Sequence, residues 1–151
     1  MSADRPPIAS FAPRLAHVVR IARIAMADND AYPDRPADYI LMHGRRVAGI
    51  ALDLRAELRR SGKLRTAVAR EVLHTGALFH DVGKAGVDDG LGVDSGAGAK
   101  TDEPHESVGA ERAVKLLAHL FTPDELRSIH DIILHHNHRE QPNDHAPAVK
   151  I

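Results

Sequence analysis

Histidine is the unusual residue of this chain, with eleven copies among 151 residues and no cysteine. Four stretches place a His within or at the end of an apolar helical pattern: His43, His80 followed by Asp81, His105, and His135 followed by His136. Imidazole binds zinc, iron, manganese and cobalt, and a carboxylate among imidazoles hardens such a site. One histidine of this kind is commonly a half-buried packing residue. Four of them together with Asp81 form a metal-binding pattern. His80 and Asp81 are neighbours, so on a helix they point about 100° apart. One divalent ion fits between them, or two ions bridged by the carboxylate. A bound divalent ion lowers the pKa of its water toward about 7 and makes hydroxide available at neutral pH. Asp81 is placed to orient that water. Lys84, one short turn on, is placed to neutralise a phosphate charge. Arg45 and Arg46, beside His43, can add phosphate contacts, Arg46 foremost. The chemistry that fits is hydrolysis of a phosphoester. His17, His74, His119, His130 and His145 read as surface or packing residues, and His138 lies just beyond a helix end.

Five segments with apolar residues spaced by three and four must position these groups. The first covers about 13–27, with Leu15, Val18, Val19, Ala22 and Met26 on one side. A loop follows at 28–38. The second covers about 37–60, with Val47, Ile50, Ala51, Leu54 and Leu58 as its stripe and His43 one turn before Val47. Ser61 and Gly62 end it. The third covers about 63–82, with Leu64, Val68, Val72, Leu73 and Phe79, and Gly83 stops it. The fourth starts near Asp102 with Pro104 in its first turn and runs to about Leu120. Thr122-Pro123-Asp124-Glu125 is a capping box that opens the fifth, which carries Leu126, Ile129, Ile132 and Ile133 up to His135 and His136. No strand pattern occurs. The expected architecture is all-α, a compact single-domain bundle of about five to six helices over 1–151. Segments 1–12 and 141–151 are expected to be irregular. A flexible Gly-rich loop at 85–101 could lie over the site as a lid.

Composition narrows the function classes. Hydrophobic residues are 43% of the chain and aromatics 3%, enough for a core built from Leu, Ile, Val and Ala. Without cysteine, disulfides and thiolate metal sites are excluded. No run of 18 apolar residues exists, and the first thirteen residues have no apolar signal core, so a cytoplasmic protein with no membrane partner is expected. Loop 85–101 lacks the ligand spacing of an EF-hand. Residues 45–70 hold eight basic and two acidic residues, whereas 71–151 hold seven basic and fourteen acidic. A basic segment beside an acidic, His-rich one suits a metal site that receives a phosphate ester. No aromatic stacking platform accompanies it, so nucleic acid is not the expected partner. A small phosphoester or nucleotide is, with a homodimer left open.

The motifs also resemble a known family. Ala77-Leu78-Phe79-His80-Asp81-Val82-Gly83-Lys84 is similar to the central motif of the HD-domain superfamily, His-Asp-hydrophobic-Gly-Lys. His105-Glu106-Ser107-Val108-Gly109-Ala110 resembles the next motif as found in the HD modules of CCA-adding nucleotidyltransferases and of HDIG-type proteins. Ile132-Ile133-Leu134-His135-His136 resembles the following His pair, and His43-Gly44-Arg45-Arg46-Val47-Ala48 the N-terminal His motif. Their order and spacing agree over 43–136. The resemblance implies a helical fold and divalent-metal phosphoester hydrolysis. It implies His43, His80 and Asp81 as ligands of a core metal, His105, His135 and His136 around a second, and Lys84 as a phosphate contact. It also implies a final Asp ligand after the His pair, for which Asp144 on a Pro-flanked tail is the nearest candidate. The Gly-Tyr-Pro signature of cyclic-di-GMP phosphodiesterases is absent. Relatives on the same scaffold leave a di-iron oxygenase open, and the lack of a clear final Asp leaves open a non-catalytic nucleotide-binding or regulatory module.

Overall fold

The computed structural model describes residues 11–27, 32–64, 68–85 and 104–137. Within them the chain forms five α-helices: α1 (Phe11–Ala25), α2 (Tyr39–Arg60), α3 (Arg70–Phe79), α4 (His105–Leu117) and α5 (Pro123–Leu134), with a 3-10 turn at Val82–Lys84 between α3 and α4. No strand occurs among the described residues, so the protein is all-α as the apolar spacing predicts. α3 is central. It packs against α2 on one side and α5 on the other, while α4 packs against α5 and against the 3-10 turn.

The helix ends follow local chemistry. α2 stops at Gly62, whose φ of 68° is open to glycine without strain. The amide of Lys63 then reaches back to the Leu58 carbonyl at 2.9 Å and that of Gly62 to Arg59 at 3.2 Å, which satisfies the last carbonyls of the helix. The third helix begins at Arg70 rather than near residue 63, because Ala69 is extended with ψ of 140°. The fourth begins at His105 rather than near Asp102. Pro104, with ψ of 137°, stands just outside it, and its carbonyl accepts the amide of Ser107 at 3.1 Å. α5 opens on the expected capping box: Thr122 Oγ1 accepts the Glu125 amide, and Glu125 accepts the Thr122 amide at 2.8 Å. Glu125 also takes Arg14 of α1, which pairs with Glu71 of α3 as well and lies over the Phe121 ring.

The core is poor in aromatics and rich in alanine. Ala22, Ala48, Ala51, Ala77, Ala110 and Ala113 are buried beside Leu78, Leu117, Ile129 and Ile133. Small side chains let helix backbones approach closely. The apolar stripe expected on α2 is turned from its predicted direction: Ile40, Leu41, Gly44, Ala48 and Ala51 face the core, whereas Ile50 and Leu54 are 59% and 43% exposed. Among the described residues the most deeply buried charge is on α4. Arg112 of α4 donates to the carbonyls of Val82 at 3.1 Å, Ala85 at 2.8 Å and Ala25 at 3.2 Å. It thereby ties both ends of the 3-10 turn to the C-terminal end of α1, where helix carbonyls lack partners and favour a cation. The expected loop at 85–101, the irregular ends 1–12 and 141–151, and Asp144 lie outside the described residues, apart from Ala85 and from positions 11 and 12, which are helical and open α1 two residues before the expected start.

Candidate metal centre

Close backbone contacts place each histidine. A Cβ at Gly44 would overlap the carbonyl oxygen of Leu78, so α2 meets α3 where only glycine fits. One residue before, His43 comes to 5.0 Å from the His80 ring, centroid to centroid. A Cβ at Gly76 would crowd Ile132, so α3 and α5 meet there. One turn later on both helices, the His80 and His136 rings are 5.0 Å apart. A Cβ at Gly83 would overlap the carbonyl oxygen of His105, so the 3-10 turn sits against the first turn of α4. That contact brings His105 beside Asp81. The glycine of the His-Asp-Val-Gly-Lys stretch is therefore a packing requirement.

Asp81 is buried at the centre, and its two carboxylate oxygens face different histidine pairs. Oδ2 lies 3.7 Å from His43 Nε2 and 3.4 Å from His80 Nε2. Oδ1 lies 3.6 Å from His105 Nε2 and 3.4 Å from His136 Nε2. Two groups of potential ligands result, His43-His80-Asp81 and Asp81-His105-His136, with the carboxylate in both. Lys84 Nζ is 2.9 Å from Oδ1, and its ammonium lies 5.9 Å from the centre of the Tyr32 ring.

The ring orientations suit metal ligation. His80 Nδ1–H donates to the Ala77 carbonyl at 2.8 Å and His136 Nδ1–H to the Ile133 carbonyl at 2.7 Å. His105 Nδ1 is 3.3 Å from Glu106 Oε2, and Asn137 donates to the other Glu106 oxygen at 2.8 Å. With Nδ1 holding a proton, each Nε2 is the nitrogen turned toward Asp81, where a second proton or a metal ion can lie between the two. Two of the facing atoms, His136 Nε2 and Asp81 Oδ1, are buried without a well-aligned hydrogen bond. Lone pairs facing a carboxylate at this spacing repel unless a cation or proton lies between them. The donor set therefore fits a divalent ion.

Electrostatics agree. Burial pushes the Asp81 carboxyl up, but hydrogen bonds from His136, His80 and Lys84 outweigh it and hold the group well below the usual carboxylate range. Burial and the charge of neighbouring His80 depress His43; burial and Lys84 depress His105. Burial opposes the charged form of His136 too, yet Asp81 prevails and its pKa is raised. Lys84 is likewise raised, its burial outweighed by Asp81 and Tyr32.

Five of the six histidine and aspartate residues singled out in the sequence thus come together: His43, His80, Asp81, His105 and His136. His135 stands outside both groups. It caps α5, and its Nδ1–H donates to the Asp131 carbonyl at 2.9 Å. Arg46 is exposed on α2, and only the field of its charge reaches His43. Sequence reasoning gave no role to Glu106, Tyr32 or Tyr39. Tyr39 lies nearly parallel to His43 at 6.2 Å, and Tyr32 meets Tyr39 edge-on at 5.2 Å. The available signal was scarcity, since these are the only two tyrosines in the chain.

An all-helical bundle with a histidine cluster around one buried carboxylate is a class of metal-binding fold. A family model described as HD domain matches residues 40–150, which include the whole cluster. The chain belongs to the HD domain family, whose members are mostly metal-dependent hydrolases. No curated protein and no solved structure matches it.

Proposed function

We propose that this protein is a metal-dependent phosphohydrolase that cleaves a phosphomonoester, in particular a nucleotide. The observation that carries the reading is Asp81, which presents one oxygen to each of two histidine pairs with Lys84 at its edge. His43, His80 and Asp81 would hold one divalent ion, and Asp81, His105 and His136 a second. Bound there, the ions supply an activated water and Lewis-acid polarisation of a phosphoryl oxygen.

The protein's own residues do the rest. Hydrogen bonds to the Ala77 and Ile133 carbonyls, and the Glu106 carboxylate beside His105 Nδ1, keep these imidazoles in one orientation. Asp81 stays ionised at any working pH and can accept a hydrogen bond from the nucleophile. The ammonium of Lys84 is protonated and half-buried, and from its place 2.9 Å from Asp81 Oδ1 it would serve as a point donor for phosphate. Tyr32 and Tyr39, both partly exposed, line the wall beside Lys84 and His43 and offer an apolar surface to a planar leaving group such as a nucleobase. Lys84 is also what favours hydrolysis over the oxygenase reading, because a cation held against the bridging carboxylate matches an anionic substrate.

The test is phosphate release from a panel of nucleotides and simple phosphomonoesters by protein loaded with manganese, cobalt, zinc or iron. Turnover is expected that disappears in Asp81→Ala. Lys84→Met should retain metal and lose about 10²-fold in kcat/KM. Oxygen-dependent turnover by the iron form with no phosphate release would replace this reading with the oxygenase. Nucleotide binding without any turnover would replace it with a regulatory module.

A further inference from the structure

The outward face of α2 carries two features that nothing within the described residues accounts for. Ile50 is 59% exposed, the most exposed large apolar side chain among the described residues, and Met42 on the same helix is 45% exposed. Beside Ile50 stands Gly49, in the middle of the helix. Glycine there weakens the helix, yet a Cβ at Gly49 would meet nothing within 4 Å. Gly44, by contrast, is required by Leu78.

These positions are symmetric. α2 runs from Tyr39 to Arg60, so its midpoint falls between Gly49 and Ile50. Rotation by half a turn about an axis through that midpoint exchanges Gly49 with Ile50, Arg46 with Asp53, and Met42 with Glu57. At about 100° per residue, Arg46 and Asp53 straddle the direction opposite the buried Ile40, Leu41, Gly44, Ala48 and Ala51. That direction is the outward normal of the face; the two-fold axis relating two antiparallel copies lies at right angles to it, between the helices and level with this midpoint. Two copies of α2 laid antiparallel would set Ile50 against the other's Ile50 along one side of the face, and Gly49 against the other's Gly49 along the other side, where the missing side chains let the backbones approach. Arg46 of each copy would face Asp53 of the other, about 5 Å along the helix on either side of the axis. Neither charge has an ion-pair partner among the described residues. Met42 would lie along the stem of Glu57, whose charge is already met by Arg60 at 2.6 Å.

We propose that the outward face of α2 is a self-complementary interface through which two copies of this chain associate antiparallel. Shape and charge complementarity both return onto the same face, as a two-fold interface demands. A single helix pair is smaller than a standard-size interface, so the expected association is weak, with Kd on the order of micromolar.

Sedimentation equilibrium of the full chain tests this, with circular dichroism to check that each variant keeps its helix content. At about 100 µM the mass should be twice the 16.4 kDa of one chain and should fall on dilution. Ile50→Asp should be monomeric. Gly49→Leu should weaken association by at least about tenfold although it is the better helix former. Arg46→Asp and Asp53→Arg should each weaken it by about tenfold or more, and the double exchange should return it to within a few-fold of the original. A monomer throughout the range, a dimer indifferent to Ile50→Asp, or a double exchange no better than the single changes would each overturn the proposal.

Discussion

Glu106 shows how far the site extends beyond its presumed ligands. Its carboxylate is pulled below its ordinary range: burial pushes it up, but Asn137 and its own backbone amide, together with His105, outweigh that. One oxygen faces His105 Nδ1 and so sets which nitrogen of that ring is free for a metal. Glu106→Gln removes the charge and keeps the shape. Metal affinity is expected to fall by about 10- to 100-fold, read by competition with a chromophoric chelator, while the thermal stability of the metal-free protein stays close to that of the original. A variant that instead unfolds without losing affinity would place Glu106 in the fold alone. At this scale the sequence was informative about the ligand types and less so about their neighbours. His43, His80, Asp81 and His105 were legible because each lies within or at the end of an apolar helical pattern. The pair His135-His136 was legible as a pair, but which member turns inward depends on how α5 ends, and a one-residue change there rotates a side chain by about 100°. Glu106 directly follows His105, and adjacent residues on a helix do not face each other. Their contact arises only because His105 opens the helix.

Among the elements, α5 has the most explicit local encoding. Its capping box satisfies two amides, and Glu125 joins it to Arg14 of α1. Thr122→Ala should cost about 1 kcal/mol, measured by urea denaturation. The same carboxylate gives the fold an acid sensitivity. Burial raises the Glu125 pKa, but the Thr122 amide and Arg14 outweigh this and leave it below its ordinary 4.5. A depressed folded-state value means that the stabilisation is complete above about 4.5 and fades as pH falls below it. Glu125→Gln should therefore narrow the stability gap between pH 6 and pH 3.5, and an unchanged gap would remove Glu125 from the account. Arg112 is the harder case. Its replacement by Met keeps the volume and leaves the Val82, Ala85 and Ala25 carbonyls without their donor, so a loss of roughly 3 kcal/mol or more is expected. An Arg in the fourth helix reads as a surface residue in sequence, because burial of a guanidinium depends on carbonyls 27 to 87 positions away. Long-range partners also explain α2. Its Ile50 and Leu54 look like core by spacing, while the actual core face uses Gly44, Ala48 and Ala51, small residues that carry little hydropathy signal but allow the closest packing.

For the molecule as a whole, the cluster is a staple as well as a site. His43 comes from α2, His80 and Asp81 from the end of α3, His105 from α4 and His136 from the end of α5, so one or two ions would join four of the five helices through side chains that already face one another. Binding to the folded state alone raises its stability by RT ln(1 + [metal]/Kd), about 2.7 kcal/mol at a hundredfold excess over Kd. For a domain of this size that is a rise in melting temperature of several degrees. The rise should be reversed by a chelator, absent in Asp81→Ala, and retained in His135→Ala, since His135 belongs to neither group. Its pH dependence has a definite sign. Ligation needs neutral imidazole. His43 and His105 are depressed and so are neutral above about 6.5, whereas His136 is raised and still holds its proton somewhat above that value. Metal must displace this proton, so the thermal gain should be complete only on the alkaline side of the His136 value and shrink steadily as pH falls through the range of all three. A gain that is independent of pH between 5.5 and 8 would mean that the ion is held by carboxylates elsewhere, and the histidine cluster would then be packing, with Asp81 neutralised by Lys84 alone.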